Sequence, residues 1–356
     1  MGEKKLMKGN EAFAEAAIRS GCDAYFGYPI TPQSEVMEYL AAQQPHLRTG
    51  MVLLQAESEV AAINMVYGAA GTGKKVMTSS SSPGISLKQE GISYLVGSEL
   101  PCLILNVVRG GPGLGTIQPS QADYFQSTKG GGHGDYKMVV LAPASVQEMS
   151  DFVKLGFDLA FKYRNPVLIL SDGIIGQMME QVELFEQLPR ATEFDQTWAT
   201  TGKTPDRERN IITSVNLDPA VQEGHNHKLQ AKYQKMQQEE VRFESFDCED
   251  ADYIMIAYGC SARICQKSVK LARAKGIKAG LLRPITLFPF PSVEIERLAG
   301  KVKGMMAVEL SAGQMVEDVR LAVNGKIKVA FYGRMGGMVP SPEEVVDALT
   351  KHFSIG

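Results

Sequence analysis

Six short, mostly apolar runs, each followed by a helix-like stretch, constrain this chain more than any other feature. They are "DAYFGY", "MVLLQA", "KVMTSS", "CLILNVV", "MVVLA" and "PVLILS", all before residue 172. Helical stretches such as "ESEVAAINMVYGAAG" and "SVQEMSDFVKLGFDLAFKYR" separate them. That alternation predicts a mostly parallel sheet covered on both faces. The first helix is expected over "NEAFAEAAIRSG", with Asn10 as its cap and Gly21 as its stop.

The regularity fades after Gln177, and from Thr192 to Glu244 the sequence turns polar. Here "QEGHNHKLQAKYQKMQQEE" predicts a solvated, partly helical connector. Alternation resumes with "DYIMIAYG", the helix "SARICQKSVKLARAKG" and the strands "KAGLLRPI", "GMMAVEL" and "KVAFYG", closed by a helix opening at "SPEEVVDALTKHF". The expected architecture is α/β, with two doubly wound parallel-sheet domains at 1–191 and 245–356 and a polar connector at 192–244. A length of 356 residues suits two such domains.

With 37 basic and 40 acidic residues mixed along the chain, the net charge is -3. That balance gives no electrostatic reason to expect nucleic acid or an anionic membrane as partner. No run approaches a membrane-spanning length, and the start "MGEKKLMKGNEAF" has basic residues without an apolar core after them, so a cytoplasmic protein is expected. Five cysteines, Cys22, Cys102, Cys248, Cys260 and Cys265, are scattered with no CxxC pair. They read as reduced thiols, and their spacing argues against a zinc site or an iron–sulfur cluster held by this chain alone. No metal site is expected.

Ligands of such sheets gather at the carboxyl ends of the strands, which directs attention to "GYPITP" at 27–32, "QAESE" at 55–59 and "RGGPGLGTIQPSQADYF" at 109–125. In the first loop two prolines bracket Thr31, which reads as the N-cap of the helix carrying Val36, Met37 and Leu40; the hydroxyl then lies at an anion-attracting helix end, or simply closes a turn. Glu57 and Glu59 are either solvated acids of a first helical turn or, for one of them, a buried proton-transfer group. Arg109 is either an ion-pair partner or a fork for a carboxylate. "SSSSPG" at 79–84 either lines a pocket or makes a turn.

Other motifs carry less. "GAAGTGKK" at 68–75 runs from helix to strand and lacks the closing Ser or Thr of a P-loop, and "YGCSAR" has one glycine where a dinucleotide fingerprint needs three. His225 and His227 read as solvent-exposed. His46, His133 and His352 are isolated, with only His133, in "KGGGHGDY", in a plausible active loop.

"GYPITP", the spacing from Glu59 to Gly68, "RGGPGLGTIQPSQADYFQ", "GGGHGDY" and the C-terminal "GRMGGMVPSPEEV" together resemble the alpha subunits of the 2-oxoacid:ferredoxin oxidoreductases, and within them the branched-chain 2-oxoacid enzymes. The resemblance covers nearly the whole chain. It implies a thiamine diphosphate pyrimidine-binding domain followed by a transketolase C-terminal-like domain. It gives Glu59, rather than Glu57, the contact to the aminopyrimidine that promotes loss of the thiazolium C2 proton. Tyr28, Pro29 and Ile30 then lie beside the cofactor, and Thr31 and Arg109 bind the substrate carboxylate. The implied reaction is oxidative decarboxylation of 3-methyl-2-oxobutanoate to its acyl-CoA and CO2, with coenzyme A as co-substrate and ferredoxin as electron acceptor.

"SDG" at 171–173 lacks the first glycine and the downstream asparagine of the diphosphate motif. The resemblance therefore implies a beta subunit that shares the thiamine diphosphate and holds Mg2+, an iron–sulfur cluster on partner subunits, and gamma and ferredoxin-like subunits. The alternatives are an alpha subunit acting on pyruvate or 2-oxoglutarate, a subunit of a non-oxidative thiamine enzyme, and a non-catalytic scaffold in which Glu59 only caps a helix.

Overall fold

The six expected strands of the first half all form, and all join one sheet. The computed structural model describes residues 3–190, 197–203 and 205–355. The first half runs β1 (Glu3–Lys8), α1 (Gly9–Arg19), β2 (Ala24–Gly27), α2 (Ser34–Gln43), α3 (Pro45–Arg48), β3 (Val52–Gln55), α4 (Glu59–Gly71) and β4 (Val76–Ser80). It continues α5 (Ser82–Gly97), β5 (Leu103–Val108), α6 (Tyr124–Thr128), β6 (Val139–Leu141), α7 (Val146–Tyr163), β7 (Val167–Asp172), α8 (Gly173–Gln177) and β8 (Met179–Leu184). Then follow α9 (Pro219–Glu239), β9 (Phe243–Phe246), β10 (Tyr253–Ile256), α10 (Gly259–Ala274), β11 (Ala279–Pro284), β12 (Thr286–Phe288), α11 (Ser292–Ala299), β13 (Gly304–Glu309), α12 (Met315–Val323), β14 (Lys328–Gly333) and α13 (Pro342–Phe353).

The large sheet has the order β12-β6-β7-β5-β4-β2-β3, and the smaller one β14-β13-β10-β11-β9. Every pair is parallel except at one edge of each sheet, where β12 and β9 run antiparallel. Strands β4, β5, β7, β11 and β13 are buried along their whole length, so both faces are covered, as their unbroken apolar runs require. Residues 286–288 come from the C-terminal half yet extend the first sheet, and one apolar core runs from Phe13 through Tyr258 to Val323.

Two local expectations differ. Lys8, not Asn10, is the N-cap of α1; Asn10 is buried inside the first turn, where its amide donates to the Pro32 carbonyl at 2.8 Å and to Glu35 at 3.0 Å. Within the region read as a solvated connector, α9 is a 21-residue helix whose Leu229, Tyr233 and Met236 are buried in the main core. Its His225 is not free in solvent either, since the ring Nε2 sits 2.8 Å from the Gly97 carbonyl. Residues 192–196 and 204 of the expected connector lie outside the described residues.

The two sheets are pinned together by Gln121. Its carboxamide accepts from Leu310 N at 2.9 Å and Ser261 Oγ at 2.8 Å and donates to the Tyr258 carbonyl at 2.9 Å, while its own N–H reaches the Leu310 carbonyl. Asp172 adds a second link, accepting from Cys260 N across the seam as well as from Ile174 N and Ile175 N. All these groups are buried, so losing one partner leaves unpaired polar atoms. Gln121→Leu keeps the volume and removes the three carboxamide bonds. It is expected to cost roughly 3 kcal/mol of stability, read as a lower urea midpoint; an unchanged midpoint would contradict the pin.

Candidate active site

The loop after β2 does not cap its helix with Thr31. A turn closed by Gln33 N donating to the Ile30 carbonyl at 3.0 Å intervenes, so α2 starts at Ser34 with Gln33 as its N-cap. Thr31 is left exposed on the turn, next to exposed Pro29 and half-buried Tyr28 and Ile30. Gln33 is buried instead, and anchors the turn: its carbonyl accepts from Ser79, which in turn accepts from Tyr25 OH at 2.7 Å. Ser79 has one proton, so Tyr25 must be the donor of that second bond. Burial pushes the Tyr25 phenol up to about 12, against the opposing bond to Ser79.

Arg109 reaches the same turn, because its Nη1 donates to the Thr31 carbonyl at 3.0 Å and its Nη2 to the Leu114 carbonyl at 3.2 Å. Its Nε is buried with no partner among the described residues. The glycine-rich loop that follows folds back tightly: Thr116 N donates to the Gly110 carbonyl, and a Cβ on Gly115, at φ +55°, would lie 1.8 Å from that oxygen. Only glycine fits there. Ser82, the first residue of α5, fixes the arginine's backbone, accepting from Arg109 N at 3.1 Å and donating to Arg109 O at 3.2 Å.

Of the two candidate acids, the structure separates one from the other. Glu57 precedes the helix, is exposed and accepts from the Ser58 hydroxyl at 2.7 Å. Ser58 is the N-cap of α4, accepting from Ala61 N, so Glu59 occupies the first helical position and is 7% exposed. No hydrogen bond within the described residues engages the Glu59 carboxylate. It lies under α5: a Cβ on Gly84 would come within 2.7 Å of Glu59 Oε1 and 2.1 Å of Ser80 Oγ. Ser80 Oγ is itself buried and unpartnered. The four serines of "SSSSPG" therefore do more than turn the chain, since Ser79, Ser80 and Ser82 each face a different part of this site.

Between Arg109 and the second sheet lies a cavity of about 470 Å3. The first half lines it with Ser82, Arg109 and Asp123, and the second with Leu310, Gln314 and Met335. Burial pushes the Asp123 carboxyl up, partly offset by bonds from Ser82 and Asn106. The wall from the second half depends on Glu309, whose buried carboxylate accepts from the N–H groups of Gln314, Met315 and Val316. Sequence reasoning passed over this wall, although an acid at a strand end before "LSAGQ" is a recognisable helix-start signal. His133 is not among the residues lining this cavity; its backbone N–H donates to Ser93 Oγ at 3.1 Å and its ring lies edge-on to Tyr94 at 6.1 Å.

The site fits one end of thiamine diphosphate. A buried carboxylate without a donor, a glycine that leaves it accessible and an unpartnered hydroxyl suit a heteroaromatic nitrogen and its amino group. Asp172 of "SDG", by contrast, points into the seam, bonded to three backbone N–H groups. The described residues contain no cluster of three or more potential metal-ligating His, Cys, Asp or Glu side chains, and the five cysteines are free and buried.

Residues 15–245 match the family described as pyruvate flavodoxin/ferredoxin oxidoreductase, thiamine diphosphate-binding, and residues 251–345 the pyruvate:ferredoxin oxidoreductase core domain II. The ketoisovalerate oxidoreductase subunit VorB of Methanothermobacter thermautotrophicus is 49% identical over 97% of both chains. The 2-oxoglutarate synthase subunit KorA of the same organism is 34% identical over 99% of both. Among solved structures, a 2-oxoglutarate:ferredoxin oxidoreductase from Magnetococcus marinus superposes with TM-score 0.85 at 28% identity, covering 99% of this chain and 66% of the longer one. A split-gene transketolase, at 15% identity and TM-score 0.61 over 98% of this chain and 99% of the other, shares the fold. The chain belongs to the pyruvate flavodoxin/ferredoxin oxidoreductase family and is a 2-oxoacid:ferredoxin oxidoreductase subunit.

Proposed function

We propose that this subunit supplies the acid–base carboxylate and the substrate-carboxylate site of a thiamine diphosphate-dependent enzyme that converts 3-methyl-2-oxobutanoate and coenzyme A to the acyl-CoA and CO2, with electrons passing to ferredoxin. The observation that carries this reading is Glu59: a buried carboxylate at a helix start, beneath a glycine, with no donor of its own among the described residues. Bound thiamine diphosphate supplies the electron sink for breaking the bond between the 2-oxo carbon and the carboxylate. Glu59 would hold a proton at the pyrimidine ring nitrogen, and Tyr28, Pro29 and Ile30 would line the cofactor's site. Thr31, by its exposed hydroxyl, and Arg109, by its guanidinium, receive the substrate carboxylate and orient it.

The substrate class follows from the cavity and the relatives. Among the described residues, Arg109 is the one basic residue lining the 470 Å3 cavity, and Pro83, Leu310 and Met335 give it apolar walls. A second carboxylate, as in 2-oxoglutarate, finds no basic partner among the described residues lining it, whereas a branched aliphatic chain finds apolar ones. Two relatives named for ketoisovalerate are 49% and 52% identical and a third 25%, against 28% to 37% for those named for 2-oxoglutarate.

The partners follow from what this chain leaves open. Val60 and Met65 of α4 and Leu87 and Tyr94 of α5 are exposed, and Gly68 faces open space, which suits a beta subunit bringing the diphosphate and Mg2+ site. Gamma and ferredoxin-like subunits carry the iron–sulfur chemistry. No helix among the described residues is long and apolar enough to cross a membrane, in keeping with a cytoplasmic complex. In this reading residues 1–191 form the pyrimidine-binding domain, 192–244 the connector and 245–356 the transketolase C-terminal-like domain.

The test is coenzyme A-dependent dye reduction by the anaerobically purified complex. Glu59→Gln is expected to lower kcat by at least about 100-fold with little change in KM; near-normal turnover would leave Glu59 a helix-end acid. Arg109→Lys, which loses the fork but keeps the charge, is expected to raise KM for the 2-oxoacid about tenfold. The parent complex should prefer 3-methyl-2-oxobutanoate to pyruvate and to 2-oxoglutarate, and preference for either other acid would overturn the substrate class.

A further inference from the structure

Lys88 is fully buried, a rare place for a lysine, and the reaction as described above does not use it. It sits on the face of α5 that packs on α4. Gly84, one turn before it, meets Glu59, and Gly91, one turn after it, meets Ile63, where a Cβ would approach to 2.5 Å. The lysine is thus held between two close crossings of the same pair of helices. Its Nζ donates to Thr78 Oγ1 at 2.7 Å and to the Ser79 carbonyl at 3.0 Å. An ammonium has three N–H groups, and these two oxygens satisfy two. Thr78 and Ser80 share one face of β4, so the strand presents Thr78 to Lys88 and Ser80 to Gly84 and Glu59.

We propose that Lys88 is a positioning residue for Glu59: fixed between Thr78 and the Ser79 carbonyl, its ammonium is the buried counter-charge of the Glu59 carboxylate, and its protonation makes the activity of the assembled enzyme respond to pH. This rests on the assignment of Glu59 as the acid–base group. Among the described residues, the titratable groups facing Lys88 are Glu59 from α4 and Cys102, just before β5, while β4 contributes neutral oxygens. Burial pushes Lys88 down to about 7, with the Glu59 charge opposing that shift; burial pushes the Cys102 thiol up, so Cys102 stays neutral. A lysine lowered from 10.5 to about 7 changes charge in the working range.

Two readouts follow. In the assembled complex, kcat/KM for 3-methyl-2-oxobutanoate is expected to show an ionisation near neutrality, changing roughly threefold or more across it, that Lys88→Met lacks. Thr78→Val removes an acceptor that favours the charged lysine, so it should move that ionisation to lower pH. Separately, the folded state binds fewer protons than the unfolded chain between the two pKa values. The parent's thermal midpoint should therefore rise relative to that of Lys88→Met as pH goes from about 7 toward 10, and the gap should be smallest below about 7.

A neutral ionisation that persists in Lys88→Met, or is missing from the parent, overturns the proposal. If Lys88→Met does not assemble, Thr78→Val decides, and an unshifted ionisation there overturns it equally. Full activity in Glu59→Gln would instead remove the acid–base assignment itself. An inactive Glu59→Gln beside a parent-like Lys88→Met profile removes only the role of Lys88.

Discussion

The contact of Gly84 with Glu59 and Ser80 is the constraint from which the site is built. Because α5 carries no side chain there, α4 and β4 close on its first turn, and a carboxylate is enclosed without being bonded away. Two residues earlier on the same turn, Ser82 grips both backbone groups of Arg109. One short turn of one helix thus fixes the positions of an acid and of a guanidinium that come from different strands. Side chains held this way need little rearrangement when a ligand arrives, which is where pre-organised sites gain.

The second half contributes as a wall and not as a separate module. Gln121, in the loop after β5, and Asp172, at the end of β7, tie it to the first sheet, and Glu309 sets the direction of the loop 310–314 that faces Arg109. The single glycine of "YGCSAR" belongs to this seam: at φ +54°, a Cβ on Gly259 would come within 2.9 Å of Asp172 Oδ2. What resembles a fragment of a nucleotide-binding turn is a close approach between two sheets.

Much of this was legible in the sequence. The parallel strands announced themselves as short apolar runs, and the pairing of Thr31 with Arg109 could be expected because both follow strands at one edge of a sheet. The preference for Glu59 over Glu57 rests on family spacing; in the structure a Ser58 cap places Glu59 inside the helix and Glu57 outside. Other features resisted. Thr31 looks like a cap because proline follows it, but the turn at 30–33 delays the helix by two residues. The stripe Leu229, Tyr233, Met236 has helical spacing, yet is diluted by so many polar neighbours that α9 read as solvated. Lys88 could not be read at all, because nothing local marks a lysine for burial; only the crossing of α4 and α5 does.

The most direct measurement of the central claim is exchange of the thiazolium C2 hydrogen of bound thiamine diphosphate with deuterated water, followed by quench NMR on the assembled complex without 2-oxoacid. With Glu59 at the pyrimidine nitrogen, exchange is expected to be fast in the parent and to fall in Glu59→Gln toward the rate of the free cofactor. Equal rates in the two complexes would contradict the account, since a carboxylate that does not govern that proton is not the acid–base group of this enzyme.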